Sequence, residues 1–410
     1  MNFCQNSYFI SCPRGLEEVL QKEVAALSPF IEKSSIEYGG IEIQTANPEP
    51  ALKAILHSRV ASRVYQKIAA ATIRDNQDLY RRILEVDWPD FIPLDGTFKV
   101  QTITHFGASF QHEDFKNTLF VSRKAKDAIV DRFRKDYGKR PNVDPHIPDV
   151  TILLYLSRVR ERIHLSILVD LCGEPLGNRH YRKEDFSAPL RENIAAGILY
   201  LSEWDPKNEI FIDSMCGSGT LLIEAHLMKA NIPPSYIKLK HKLNHPREKM
   251  WSLEKFTTFP ESEIAPLWKK LVSNAARERS ERAPLTTIFG YDKDAAAITV
   301  AKKNAGQFRA IHIEKRNALS LTPPTKDATG GVIFCNPPYG VRLESENLEG
   351  VKNLYHAYTE HLKQNFKGYR AFILTSSALD LKKVVKLKTK ARYPLFNGDL
   401  ECRLLRYDLY

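Results

Sequence analysis

The run Asn336-Pro337-Pro338-Tyr339-Gly340 carries the most specific chemical signal in the sequence. It follows the apolar residues 332–335, which read as a buried strand. Two prolines there fix the backbone as it leaves the sheet and remove amide donors. What remains are acceptors, the Asn336 amide oxygen and the Pro337 carbonyl. Such a pair suits an exocyclic amine on an aromatic ring, whose delocalised lone pair makes it a poor nucleophile. Two hydrogen bonds from its N–H groups favour a pyramidal nitrogen, and its lone pair can then be aimed at an electrophilic methyl group. Tyr339 offers a face on which a flipped-out base can stack. A proline-rich turn without chemistry is the plainer reading, but placement after a strand and downstream of a glycine loop argues against it.

That loop is Asp213-Ser214-Met215-Cys216-Gly217-Ser218-Gly219-Thr220, between apolar residues 210–212 and a helix over 220–229. Glycines at the end of a first strand let backbone approach a ligand closely. Any doubly wound sheet also needs a tight turn there, so the glycines alone leave both readings open. The run lacks the third spaced glycine of a dinucleotide fingerprint and the Lys-Ser/Thr of a phosphate loop, so a cofactor without a pyrophosphate fits better. Asp292 ends a second strand, where it either accepts the ribose hydroxyls of an adenosyl group or is a turn aspartate. Asp294 reads as the N-cap of the next helix. Asn317 follows the strand at 312–315 and either meets an adenine edge or is a turn asparagine. Cys335 adjoins the proline motif and would be the covalent nucleophile of a carbon methylation. At the end of an apolar strand it reads better as a packing cysteine.

The elements that must position these residues alternate. Apolar strands near 209–213, 286–291, 331–335 and 369–375 are separated by helices, which predicts a mostly parallel sheet covered on both faces. Residues 231–284 interrupt the alternation with six prolines and many charges, and read as an insertion. Residues 1–65 read as a small α+β unit, with helices over 16–27 and 51–65. Residues 66–170 form a second α+β region with a long helix over 117–137, ended by Gly138, and paired strands at 150–156 and 162–170. Residues 171–185 look like a linker.

The formal net charge is +11, which suits a polyanionic partner. Around the long helix, Arg123, Lys124, Lys126, Arg134, Lys135 and Arg140 outnumber the acids while Ala125, Ile129 and Phe133 can pack inward. Read with the catalytic half, this is a phosphate-tracking surface; alone, it is an ordinary solvated helix face. The six cysteines are scattered, without CxxC pairs or an accompanying histidine cluster, so neither metal nor disulfides are expected. No apolar run is long enough to span a bilayer, and no signal peptide is evident, so a cytoplasmic location is expected.

The three motifs in this order resemble class I, Rossmann-like amino-methyltransferases, specifically RNA methyltransferases with an N-terminal THUMP domain. The resemblance runs nearly end to end. Cys12-Pro13-Arg14-Gly15-Leu16-Glu17 is similar to the opening of the family's ferredoxin-like domain. Asn117-Thr118, the residues 126–131 and Arg140-Pro141 are similar to its THUMP signature. Residues 187–193 look like the helix that closes over the cofactor, and residues 396–403 resemble the ending of bacterial 23S rRNA guanine-N2 methyltransferases. The implied architecture is a ferredoxin-like domain at 1–65, a THUMP domain at 66–170 and an α/β methyltransferase domain at 186–410. The implied cofactor is S-adenosylmethionine, lined by Asp213, Ser214, Cys216, Gly217, Gly219, Thr220 and Asp292, with Asn317 near the adenine. Asn336, Pro337, Pro338 and Tyr339 would hold the target base. Arg182, in the segment joining the halves, is grouped with the RNA contacts. The implied reaction is methylation of guanine N2 in 23S rRNA; tRNA is the rival substrate, and a non-catalytic RNA-binding protein the reading from another class. Some family members carry a second, C-terminal methyltransferase; as this chain ends at Tyr410, that activity is expected to be absent.

Overall fold

A computed structural model describes residues 2–3, 6–106, 113–160, 162–185, 190–278, 287–308, 310–324, 330–337, 348–377, 379, 384–398 and 400–410. Within them the chain divides into two compact units, one of Met1–Cys12, Leu20–Leu176 and Lys238–Ala276, the other of Pro13–Val19, Gly177–Ile237 and Arg277–Tyr410.

The first unit is built on β1 (Asn2–Phe3), β2 (Ser7–Ser11), α1 (Glu17–Leu27), β3 (Ile31–Glu37), β4 (Gly40–Thr45), α2 (Glu49–His57), β5 (Arg63–Ile73), α3 (Asn76–Leu84), β6 (Thr97–His105), α4 (Thr118–Tyr137), β7 (Asn142–Val143), β8 (Val150–Val159) and β9 (Arg162–Asp170). These strands make one sheet in the order β3-β4-β2-β5-β9-β8-β6-β7, with β1 added against β5. Strand β5 corrects the sequence reading, which took residues 63–65 as the end of a helix. α2 stops at His57, and Val64, Ile68, Ala69 and Ile73 are buried along a strand that runs across the expected boundary at 65/66. It pairs with β2 on one side and β9 on the other, so both α+β regions share one sheet. β-branched residues that pack well on a pleated surface outweigh local helix propensity here.

Helix α4 forms as its ends dictate. Asn117 accepts from the Leu119 and Phe120 amides at 3.1 Å each, and Gly138 closes the helix with φ +67°. Val121, Ala125, Ile129 and Phe133 are buried on its inner face.

In the second unit, α5 (Glu192–Leu201), β10 (Ile210–Asp213) and α6 (Thr220–Lys229) come first. The chain then gives α7 (Tyr236–Asn244) and α8 (Ile264–Ala275); residues Lys238–Ala276 belong to the first unit, where Lys238 pairs with Glu174 and Lys255 with Asp149. It returns with β11 (Ile288–Asp292), α9 (Ala295–Ala305), β12 (Ile311–Lys315), β13 (Gly331–Cys335), α10 (Leu348–Asn365), β14 (Tyr369–Ser376), β15 (Ala391–Asn397) and β16 (Leu400–Asp408). The sheet order is β12-β11-β10-β13-β14-β16-β15. The first five strands are parallel, whereas β16 runs antiparallel to both β14 and β15, so the sheet is mixed. The core beside β13 and β14 holds Ile333, Cys335, Tyr355, Tyr358, Leu362 and Ile373.

Residues 171–185 are not a loose linker. Cys172, Arg179 and Tyr181 are buried, with Cys172 donating to and accepting from Val64 backbone in the first unit. In the second, Tyr181 donates to the buried Glu224 at 3.0 Å. Partners for these polar groups are what make their burial tolerable.

Candidate active site

Asp213, Asp292 and Asn336 come together at one edge of the second sheet. β10 lies between β11 and β13, parallel to both, with Asp213 level with Gly290 on one side and Phe334 on the other. Asp292 and Asn336 therefore stand two residues beyond that level, one on each flank. The chain runs from β10 outward to β12, then returns at β13 to the opposite side of β10. This reversal of strand order opens a crevice at the carboxyl ends of the strands, where open α/β sheets bind ligands.

The glycine loop closes on itself beneath that crevice. The Cys216 amide donates to the Tyr291 carbonyl at 2.9 Å and the Gly219 amide to the Cys216 carbonyl at 2.8 Å. The Gly217 amide donates to Asp292 Oδ2 at 3.0 Å. Gly217 has φ +51° and Gly219 φ +82°, conformations that side chains disfavour. A Cβ at Gly217 would meet nothing within 4 Å, so the loop turns bare backbone toward open space. Asp213 is buried beside it. Burial pushes its carboxyl up to about 8, with the Asp292 charge adding to the rise and the Met215 amide opposing it. Asp292 also accepts from the Asp294 amide at 3.0 Å, while Asp294 caps α9 through the Ala296 amide at 2.8 Å. Asp294 is thus the cap that the sequence suggests.

Other expected contacts take different places. Ser214 is fully buried; its amide and hydroxyl both donate to the Phe334 carbonyl at 2.9 Å, and the Tyr358 hydroxyl lies 2.6 Å away. It fastens β10 to β13 and α10, and its amide and hydroxyl are taken up by these protein partners. Thr220, also buried, begins α6 and supports the loop from behind, 3.3 Å from the Ser218 hydroxyl. Asn317 is exposed and accepts from the Leu319 amide at 3.0 Å, so its oxygen serves the turn.

Arg182 is the largest reassignment. Its guanidinium donates to Glu192 Oε1 at 2.8 and 3.0 Å, to the Leu190 carbonyl at 3.1 Å and to the Thr220 hydroxyl at 3.2 Å. It also reaches the Ser218 hydroxyl at 3.5 Å. With 16% of its side chain exposed, this fork is committed to the glycine loop and the first turn of α5 rather than offered to RNA phosphate. The signal missed was Glu192, ten residues downstream, which gives the arginine a carboxylate to clamp.

Asn336 leaves β13 with its Oδ1 buried and without a hydrogen-bond partner among the described residues; Pro337 beside it is buried. Pro338 and Tyr339 lie outside the described residues. Cys335 is sealed in the core, where burial pushes its thiol up. Burial first, then Asp213 and Asp292, raises the Cys216 thiol well above its usual value. Both are therefore protonated thiols, a poor state for nucleophilic attack.

Arg123, Arg134 and Lys135 on α4, and Arg140 just beyond it, are exposed, while Lys124 and Lys126 are half-buried. Lys124 sits 5.1 Å over the Tyr80 ring, Lys126 pairs with Asp127, and Arg134 approaches Asp131 at 3.4 Å. No ion pair among the described residues holds Arg123, Lys135 or Arg140.

A glycine loop after the first strand, an acid ending the second and an antiparallel last pair define a Rossmann-like methyltransferase fold. The chain belongs to the family described as RMKL-like, methyltransferase domain, whose model matches residues 179–406. The THUMP domain model matches residues 74–167, and that of the RlmL ferredoxin-like domain residues 7–65. Among curated relatives, the ribosomal RNA large subunit methyltransferase K/L of Syntrophotalea carbinolica is 32% identical over 98% of this chain and 53% of its own length. That of Marinobacter nauticus is 33% identical over 98% of this chain and 52% of its own. The chain thus spans about half the length of these relatives. Among solved structures, the methyltransferase SMU.472 complexed with SAH superposes with a TM-score of 0.77 at 25% identity, covering 100% of this chain and 99% of that one. No helix among the described residues is long and apolar enough to cross a membrane.

Proposed function

We propose that this chain methylates the exocyclic N2 of a guanine in 23S ribosomal RNA, using S-adenosylmethionine. The observation that carries the amine reading is the buried Asn336 Oδ1, which has no hydrogen-bond partner among the described residues, beside the reversal of strand order. Leaving a buried acceptor unmade costs about 1–3 kcal/mol, and an amine N–H arriving there removes that cost.

S-adenosylmethionine supplies a methyl group on a positively charged sulfur. The open face of Gly217 and the carboxylates of Asp213 and Asp292 fit such a cationic adenosyl cofactor. Asp213, once ionised, would supply negative charge, Asp292 an acceptor for ribose hydroxyls, and the glycines close backbone approach. Asn336 Oδ1 and the Pro337 carbonyl hold the two amine N–H groups, and the sequence motif assigns the stacking of the base to Tyr339. Catalysis is then mainly positioning, since the donor is already reactive. Neither Cys335 nor Cys216 is poised for the covalent route to a carbon. Ribosomal RNA is the substrate that the names of both curated relatives carry. Arg123, Lys135 and Arg140 would meet its phosphates. A purely RNA-binding role fits less well, because the loop and Asp292 keep the form a cofactor needs.

The test is to methylate RNA with the purified chain, digest it to nucleosides and compare the product with standards by mass spectrometry. N2-methylguanosine in large-subunit rRNA is expected. A product of 5-methylcytidine or a ribose-methylated nucleoside overturns the amine mechanism. N6-methyladenosine overturns the base, and N2-methylguanosine in tRNA alone overturns the ribosomal substrate.

A further inference from the structure

Three side chains with metal-ligating atoms meet in the first unit, on the segment that interrupts the methyltransferase sheet. His241 lies on α7 and His245 follows one turn later, so both imidazoles fall on one side of the helix. Pro246 ends the helical run, and the Glu248 amide donates to the His245 carbonyl at 3.1 Å. That turn brings Glu248 Oε2 to 2.8 Å from His241 Nε2. The two imidazoles stack, with centroids 4.3 Å apart and planes at 21°. One ligand atom from each of the three residues lies within 4.8 Å of the others, and all three residues are exposed.

A further contact selects the ligand atom of His245. Its Nδ1 lies 3.2 Å from the His241 carbonyl. A carbonyl only accepts, so Nδ1 carries the proton and Nε2 keeps its lone pair. Metal-ligating histidines commonly make this kind of outer hydrogen bond to fix their tautomer. Lys242, next to His241 in the chain, is engaged elsewhere: it pairs with Glu254 at 2.8 Å and also donates to the Glu248 carbonyl.

We propose that His241 Nε2, His245 Nε2 and the Glu248 carboxylate form a binding site for a divalent transition-metal ion, zinc above all, with a fourth position left to solvent. Two imidazoles and a carboxylate match zinc, whereas magnesium and calcium favour all-oxygen sets. Zinc bonds of about 2.0–2.1 Å place tetrahedral ligand atoms roughly 3.3 Å apart. Rotations of exposed side chains supply the closure needed from 4.8 Å. The contact between His241 Nε2 and Glu248 gives way to bonds with the metal as it enters. The bound ion would staple the end of α7 to the turn that follows it.

The test uses the full chain, free of any affinity tag and stripped with a chelator, titrated with Co2+ under visible absorption and with Zn2+ in a calorimeter. One equivalent is expected at micromolar metal, with a cobalt spectrum of low coordination number. His245→Ala and Glu248→Gln should each weaken binding at least about tenfold. Circular dichroism should match the parent, because the exposed residues leave the core intact. Absence of binding at micromolar metal, or equal binding by a variant carrying both substitutions, overturns the site.

Discussion

If Asp213 is the anion that receives the cofactor, cofactor binding must expel a proton. Asp213 is 3% exposed, and burial holds its carboxyl up to about 8 in the free protein. About nine in ten molecules then carry a protonated Asp213 at pH 7. A cation binds the ionised form, so each binding event should release about 0.9 proton at pH 7, about 0.5 at pH 8 and about 0.1 at pH 9. Affinity should therefore rise nearly tenfold from pH 6 to pH 7 and level off above pH 8. The assay is calorimetry in buffers of different ionisation enthalpy, where the slope of observed heat against buffer enthalpy counts protons. An α-amino group such as the cofactor's own titrates near 7.7–8.0, so the decisive quantity is the difference between the parent and Asp213→Asn. The substitution should abolish the Asp213 share of the release. Equal proton counts in the two proteins between pH 6 and 9 would refute the reasoning. The same group fixes a stability trend. A carboxyl whose folded value lies above its unfolded 3.8 favours folding below that value, and loses that contribution as pH rises through about 8. Thermal melts of the cofactor-free parent should fall over this window more steeply than those of Asp213→Asn.

Three further outcomes follow from the site. Asn336→Ala should leave cofactor affinity nearly unchanged in calorimetry while lowering single-turnover methylation on the order of 10²–10³-fold, as for loss of a hydrogen bond needed mainly at the transition state. Arg182→Ala should destabilise the chain by about 3–5 kcal/mol in denaturant titration, because it strands the half-buried Glu192, and should weaken the cofactor complex while RNA affinity in filter binding stays within about twofold. Replacing Arg123, Lys135 and Arg140 by glutamine should make a plot of log RNA affinity against log salt shallower by about 0.7–0.9 per phosphate contact removed, and an unchanged slope would take the RNA off this face.

What the sequence disclosed were features set by neighbours in the chain. The caps of α4 and α9, the strand before Asn336 and the glycine loop each depend on a few adjacent residues whose propensities agree. What it hid depends on contacts that only the folded chain makes. Ser214 looks like a loop residue until Phe334 and Tyr358 are seen to use its amide and hydroxyl. Arg182 reads as a free cation until Glu192 and Thr220 occupy it. β5 reads partly as helix because its pairing with β2 and β9 supplies the missing preference. β15 and β16 stand out only weakly, since an antiparallel ending breaks the alternation of strand and helix that announces the rest. The His241, His245 and Glu248 group has no accompanying cysteine to mark it in the sequence, and only the turn after His245 brings Glu248 to His241.

The segment Lys238–Ala276 sets an order of events during synthesis. The first unit includes residues that are made only after β10 and α6 of the second. Asp149 of the first unit thus waits for Ser252 and Lys255, and Glu174 for Lys238. As the chain emerges from the amino end, the nine-stranded sheet has its strands well before these side chains exist. Its folding can be completed only when the second unit is already begun, so the two halves mature interleaved in time rather than one after the other. Cutting the gene after residue 176 to isolate an RNA-binding piece would deliver a protein stopped at that intermediate stage, lacking α8, which packs on α2.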